Sequence, residues 1–154
     1  MAYNLEELEK KDKLKTKVLK YIMYKKRTEQ EVRRKFSNID EQELLDDVID
    51  DLKENGYIND ESYIERAVAE FVNLKNLSLK ELKYKLVSKG LNKDLVDDYF
   101  YKNIDKLEEY EINSAKNIII KKGNGMEEQD LIQYLLKKGY KTDLVKNAIE
   151  SLGE

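Results

Sequence analysis

The sequence has no cysteine, no histidine and no proline, and only six glycines among 154 residues. Without cysteine there is no disulfide framework and no thiolate metal site. Nothing ties the chain to an oxidising compartment, which fits a cytoplasmic location. With histidine absent as well, the usual nucleophile–base pairs and nitrogen metal ligands are missing. Neither an enzyme activity nor a bound metal or other cofactor is therefore expected. Proline and glycine break helices, so their scarcity favours long helical stretches over many short strands. Long apolar runs are lacking too: Ile118-Ile119-Ile120 falls far short of the ~20 residues of a membrane span. Met1 to Glu9 is acidic and has no apolar core, so no secretory signal is expected there. Gly123-Asn124-Gly125 has no Gly-Lys-Ser/Thr after it, which makes it a helix break and not a phosphate loop.

What the chain does have is helical periodicity almost throughout. Hydrophobic and charged residues each make up 40% of it, a mixture suited to amphipathic helices and too apolar for disorder. Leu14, Val18, Leu19, Ile22 and Met23 form one stripe. Thr28-Glu29-Gln30-Glu31 has the pattern of a capping box, with Val32 and Phe36 facing inward behind it. Leu44, Leu45, Val48, Ile49 and Leu52 mark a third helix, stopped at Asn55-Gly56 by a left-handed cap.

The same order returns twice. Tyr63, Ala67, Val68, Phe71 and Val72 mark a long helix from about Asp60 to Asn73. A second capping box follows at Ser78-Leu79-Lys80-Glu81, then Leu82, Leu86 and Val87, the turn Lys89-Gly90-Leu91, and Leu95, Val96, Tyr99 and Phe100. The last round runs from Leu107 through Ala115, Ile118, Ile119 and Ile120. It continues with Leu131, Leu135 and Leu136, turns at Lys138-Gly139-Tyr140, and ends with Leu144, Val145, Ala148, Ile149 and Leu152. Glu81-Leu82 … Leu95-Val96 repeats as Asp130-Leu131 … Leu144-Val145 at a constant offset of 49 residues. The first copy aligns less closely, and its turn, Ser37-Asn38-Ile39-Asp40, has no glycine. The expected fold is all-α, with three tandem three-helix repeats in an elongated, curved array. The expected boundaries are 1–11 for an N-terminal extension, then 12–59, 60–104 and 105–154.

Charge follows the repeat. The overall balance is −3, from 29 Lys and Arg against 32 Asp and Glu. Residues 10–37 nevertheless carry +9 and residues 38–65 carry −10. The second and third rounds give +5 then −5, and +3 then −2. The first two helices of each copy are thus basic and the third acidic. Two readings stay open. Basic helices pair with acidic neighbours in surface ion pairs worth little each, or the basic helices form a strip that follows a phosphate backbone or an acidic protein groove. The candidates for such a strip are Lys17, Lys20, Arg27, Arg33, Arg34, Lys35, Lys80, Lys83, Lys85, Lys121, Lys122, Lys137 and Lys138. Tyr21, Tyr24 and Tyr84 lie among them, either half-buried as packing residues or able to stack on bases. The acidic cluster Asp46, Asp47, Asp50 and Asp51 lacks the ligand alternation and glycine of a calcium loop and reads as a solvated face.

Three features together resemble the RecX family of bacterial regulatory proteins. They are Arg33-Arg34-Lys35-Phe36, the junction Gly56-Tyr57-Ile58-Asn59-Asp60-Glu61-Ser62-Tyr63, and the pairing of Glu81-Leu82 with Lys89-Gly90-Leu91. The likeness covers about residues 12–153, and the junction is its most specific part. The resemblance implies a protein that binds along the groove of the RecA–single-stranded DNA filament. It would modulate, and usually inhibit, recombinase activity in DNA repair, recombination and the SOS response. It implies RecA as the partner, with single-stranded DNA as a further contact, and a monomer with no small-molecule substrate and no membrane. Two other readings remain: a helical-repeat adaptor for a protein segment, with no DNA involved, and a helix-turn-helix DNA reader. The second is weakened because no single helix concentrates base-reading side chains.

Overall fold

The computed structural model describes residues 3–153. Among them the chain is all-helical, with nine α-helices and one short 3-10 turn. These are α1 (Leu5–Tyr24), α2 (Glu29–Lys35), α3 (Gln42–Glu54), α4 (Asp60–Leu74), α5 (Leu79–Ser88), α6 (Lys93–Lys102), α7 (Ile104–Lys122), α8 (Glu128–Lys138) and α9 (Thr142–Leu152). The break at Gly123–Gly125 is the 3-10 turn. The segment read as an extension is helical from Leu5, because Asn4 and Glu7 form a reciprocal capping box: the Glu7 amide donates to Asn4 Oδ1 at 2.8 Å, and the Asn4 amide donates to Glu7 Oε2 at 3.2 Å.

The chain forms two compact units. One runs to Tyr63 and includes Lys89–Leu91; the other comprises Ile64–Ser88 and the chain from Asn92 onward. In the first unit Leu14, Val18 and Ile22 of α1 pack with Val32 of α2, with Leu45, Val48, Ile49 and Leu52 of α3, and with Ile58. Thr28 completes its capping box, accepting from the Glu31 amide at 3.1 Å while Glu31 Oε1 accepts from the Thr28 amide at 3.0 Å. The α3 helix ends as its sequence predicts. Gly56 has φ +80°, and the Tyr57 and Gly56 amides fold back onto the carbonyls of Leu52 and Lys53, a Schellman-type stop.

In the second unit Ala115 and Ile118 of α7 pack with Leu135, Tyr140, Val145 and Ala148 of α8, its turn and α9. Ile64, Ala67, Val68, Leu82, Leu86, Val96 and Phe100 are also buried. Ser78 and Glu81 form the second capping box.

The capping hydroxyls have a second bond, which repeats. Thr28 Oγ1 donates to the Lys89 carbonyl at 3.1 Å in the first unit, and Ser78 Oγ donates to the Lys138 carbonyl at 2.7 Å in the second. The residue after each of these carbonyls is a glycine with positive φ, +89° at Gly90 and +102° at Gly139. A Cβ at Gly90 would lie 2.5 Å from the Gln30 side chain, and one at Gly139 would lie 2.9 Å from that of Lys80. Both glycines are therefore required twice, for backbone conformation and for close approach. The turn of the first copy is held differently: Gln42 Nε2 donates to the carbonyls of Phe36 and Ile39 at 3.0 and 2.9 Å. Among the described residues no carbonyl of that turn receives a capping hydroxyl, and glycine is dispensable there.

Four residues assigned to the apolar stripes are exposed. Met23 is 71% and Ile120 64% accessible, and Val87 lies on an exposed face. Each sits in or near the last turn of its helix, where the apolar period continues beyond the neighbour it would pack on. Leu152, in the last turn of α9, is likewise exposed. Conversely, Ile64 is buried in α4 although the stripe as read did not include it.

Candidate functional site

The thirteen candidate cations divide into two groups. Four are held by carboxylates. Arg33 bridges Glu29 (3.0 Å) and Asp46 (2.6 Å), and Lys83 meets Asp97 at 2.6 Å. Arg27 lies 3.9 Å from Glu31, and Lys138 lies 3.8 Å from Glu81. The Asp46 contact raises the pKa of the Arg33 guanidinium further, and the Lys83 contact holds the Asp97 carboxyl below its usual range. Three of these charges, on Arg33, Lys83 and Lys138, bridge two helices, while Arg27 pairs within the start of α2.

The other nine have no carboxylate within ion-pair distance among the described residues. Lys17 and Lys20 are exposed on α1, Arg34 and Lys35 on α2, Lys80 and Lys85 on α5, Lys121 and Lys122 at the end of α7, and Lys137 on α8. Several lie near aromatic faces: Lys35 is 5.7 Å from the Tyr21 ring centre, Lys85 is 5.8 Å from Phe71, and Lys122 is 4.4 Å from Tyr134. A cation over a ring keeps its charge available to an anion while its stem is ordered.

The tyrosines divide too. Tyr21 is half-buried, packed edge-on to Phe36 at 6.0 Å and covered by Arg27 at 4.2 Å. Tyr24 is 87% accessible, and Tyr84 is also exposed. Of the acidic cluster, Asp46 and Asp51 are not merely solvated. Asp46 pairs with Arg33, and Asp51 with Lys11 (2.9 Å) and Lys15 (3.9 Å), which lowers the pKa of the Asp51 carboxyl. Among the described residues no group of acidic side chains is arranged to hold a metal ion, and no helix is long and apolar enough to cross a membrane. Lys26 was missed as a candidate. It is exposed beside Arg27, without a carboxylate partner among the described residues, and the run Lys25-Lys26-Arg27 was the signal that could have found it.

A second polar site, deep in the second unit, was not foreseen. Glu111 and Ser114 of α7 are fully buried. Tyr110 Oη donates to the Leu77 carbonyl at 2.7 Å and accepts from the Leu77 amide at 3.2 Å. Ser114 Oγ donates to the same carbonyl at 3.1 Å and lies 2.6 Å from Tyr140 Oη. Glu111 Oε1 accepts from the Leu79 amide at 3.4 Å. Burial raises the Glu111 carboxyl above its usual range, and the Leu79 and Lys141 amides only partly oppose this. The network fixes the backbone that leads into α5; nothing in it has the arrangement of a nucleophile and its base.

No protein-family model matches the chain. It is 30% identical to the regulatory protein RecX of Staphylococcus carnosus (strain TM300), over 98% of this chain and 59% of that protein. It is 32% identical to the regulatory protein RecX of Staphylococcus haemolyticus (strain JCSC1435), over 87% of this chain and 52% of that protein. The chain thus spans between half and three fifths of the length of these relatives. Its fold is similar to the crystal structure of RecX from Lactobacillus salivarius, with a TM-score of 0.77 over 95% of this chain and 98% of that one, at 24% identity. Along nearly its whole length in sequence, and in fold, the chain matches the RecX family of regulatory proteins, as the junction and turn motifs implied.

Proposed function

We propose that the chain binds the RecA–single-stranded DNA filament and modulates, most often inhibits, its recombinase activity in DNA repair and recombination. The observation that carries this reading is the set of nine exposed cations without carboxylate partners, all on first and second helices of the sequence repeats. Charges already neutralised by a neighbour contribute little to a polyanion, whereas unpaired ones release counterions on contact. The role needs no catalytic step, no cofactor and no small-molecule substrate, and it belongs in the cytoplasm, where the filament forms. A monomer suffices. The repeat boundaries at 59/60 and 104/105 divide this set into three groups, with the most cations in the first.

The test is direct. Purified protein is added to preformed RecA filaments on single-stranded DNA, and ATP hydrolysis and strand exchange are followed. Slowed hydrolysis and exchange, relieved by added salt, are expected. Replacing Lys17, Lys20, Arg34 and Lys35 together by Gln should weaken the effect more than replacing Lys121, Lys122 and Lys137. No change in either rate, with no filament binding, rejects the reading.

Exposed Met23 and Tyr24 at the end of α1 favour a second reading, an adaptor that grips a protein segment without DNA. Nuclease treatment of a lysate before pull-down separates the two, because an adaptor keeps its partner and a filament binder loses it.

A further inference from the structure

Four side chains of α7 hold the short connection between α4 and α5, all within the second unit. Tyr110 and Ser114 bond to the Leu77 backbone, and Glu111 Oε1 accepts from the Leu79 amide at 3.4 Å. Asn117 Nδ2 donates to the Lys75 carbonyl at 3.0 Å. The spacing of positions 110, 111, 114 and 117 puts these groups on one side of the helix. The connection they hold is strained: Lys75 has φ +50°, the one left-handed residue other than glycine among those described, a conformation that costs free energy for a side chain of this kind. Asn73, Leu74, Lys75 and Asn76 are exposed, so solvent reaches the connection from outside.

Glu111 differs from the other three because it is an acid, and it is fully buried. Its Oε1 has that single long bond, and its Oε2 has no hydrogen-bond partner. A buried carboxylate without donors costs far more than the neutral acid in the same place. The charged groups around it do not supply what is missing. Lys141, at the start of α9, extends towards Glu108 at 3.9 Å with 60% of its side chain accessible, and Lys138 faces Glu81 of α5 at 3.8 Å. Burial keeps the Tyr110 and Tyr140 hydroxyls neutral. For Glu111 burial is the largest influence and raises the carboxyl, with Glu108 adding to the rise. The Leu79 amide and Lys141 oppose it only in part.

We propose that Glu111 is a proton-operated latch on the α4–α5 connection. Neutral, it lets the connection lie closed against α7. Ionised, it opens the connection around Leu77–Leu79, so that water reaches the carboxylate. The connection yields and α7 does not, because the connection is strained and faces solvent, whereas α7 sets Ala115 and Ile118 into the core of the unit. Opening loosens the start of α5, which carries Lys80 and Lys85, so one buried carboxyl governs how two of the unpaired cations are presented. Only that last consequence rests on the recombinase reading; the latch belongs to the chain alone and is tested without recombinase or DNA.

The absence of histidine leaves a clear window for the test. In a chain without it, no unperturbed side chain changes charge between about pH 5 and 8. Asp60 is also raised by burial, but it lies in the first unit, so a readout at residues 77 and 79 separates the two. The experiment is NMR of the full chain from pH 4 to 8, following the Glu111 side-chain carboxyl carbon and the exchange of the Leu77 and Leu79 amide protons. The carboxyl should titrate above the ordinary carboxylate range. Across the same transition the protection of both amides, corrected for the intrinsic rise of exchange with pH, should fall by about ten-fold. The amides of Val48 and Ile49 in the first unit should keep theirs. Glu111→Gln stays neutral and should hold the Leu77 and Leu79 amides at their low-pH protection throughout. A carboxyl that titrates in the ordinary range, or amides that do not follow it, overturns the latch. So does a Glu111→Gln chain that loses protection over the same range as the native one. The first two readouts need only the native chain, so the conclusion stands on them if Glu111→Gln fails to fold.

Discussion

Both compact units have an apolar core and inter-helix ion pairs, but they differ in how much buried polar bonding they add. In the first, charged side chains tie α1 and α2 to α3: Lys11 to Asp51, Arg33 to Asp46, and Lys53 to Glu29 at 2.8 Å. Its buried polar residue is Thr28. In the second, Ser78, Glu111 and Ser114 are all buried: Ser114 and Tyr110 bind the Leu77 backbone, Tyr140 binds Ser114, Glu111 accepts from the Leu79 amide, and Ser78 donates to the Lys138 carbonyl. Exposed ion pairs are weak and screened by salt. Buried hydrogen bonds are insensitive to salt and costly to leave half-made. The two units thus share the hydroxyl-to-turn bond while differing in the buried polar side chains that surround it.

What the units share should give the largest effects. Gly90→Ala combines a positive φ with a Cβ 2.5 Å from Gln30, and should destabilise by about 3 kcal/mol. Gly139→Ala should cost nearly as much, with Lys80 the obstacle. Gly56→Ala is the control: its φ is +80° but its Cβ meets nothing within 4 Å, so only the backbone term of about 1 kcal/mol applies. Urea unfolding measures all three. If Gly56→Ala costs as much as Gly90→Ala, the close approach of turn to helix is not what selects glycine.

The next effect belongs to the second unit alone. Tyr140→Phe keeps the ring in the core and removes the hydroxyl 2.6 Å from Ser114. A loss of about 1–2 kcal/mol is expected, unchanged by salt. Hydrogen exchange should locate it in α7 and α9 and leave α3 untouched. Protection lost equally in α3 would mean that the units unfold as one.

Glu111 gives a smaller effect with a distinctive pH dependence. Its folded-state pKa is raised, by burial first, with Glu108 adding to the rise and Lys141 opposing it. The folded state therefore holds the proton more tightly than the unfolded one. The associated stability is fully present below the unfolded value, near 4.5, and is lost as pH rises through the folded value. Glu111→Gln, which cannot titrate, should lack this decline, so the variant gains on the native chain as pH is raised from 4 to 7. A stability difference that stays flat across that range would show that Glu111 is not held in an unfavourable charged state.

Much of this was legible in the sequence because it is local. Capping boxes at Thr28 and Ser78 and the stop at Gly56 depend on residues within a few positions of one another, and all appear where the pattern puts them. The second bond of each capping hydroxyl, to a carbonyl 60 or 61 residues away, left no local trace. Glu111 was hidden for a similar reason: within the acidic block of residues 94–111 it looks like one more solvated carboxylate, and only the packing of α7 buries it. The candidate cations were legible as residue types but not as free or paired charges. Arg33 and Arg34 are adjacent in sequence, yet one bridges two carboxylates and the other is open to solvent. That distinction depends on the angle at which α3 passes α2, which composition does not record.

The smallest effect tests the first unit's side of the contrast. Asp51 receives Lys11 at 2.9 Å and Lys15 at 3.9 Å, with all three side chains partly accessible. Asp51→Asn should cost only about 0.5 kcal/mol in dilute buffer, and the difference should fall towards zero in ~1 M salt, where the screening length is about 3 Å. The contrast with Tyr140→Phe is then one of kind as well as size, since one loss is removed by salt and the other is not. A cost at Asp51 that survives high salt would mean that the lysine stems packed over α3, and not the charges they carry, hold α1 in place.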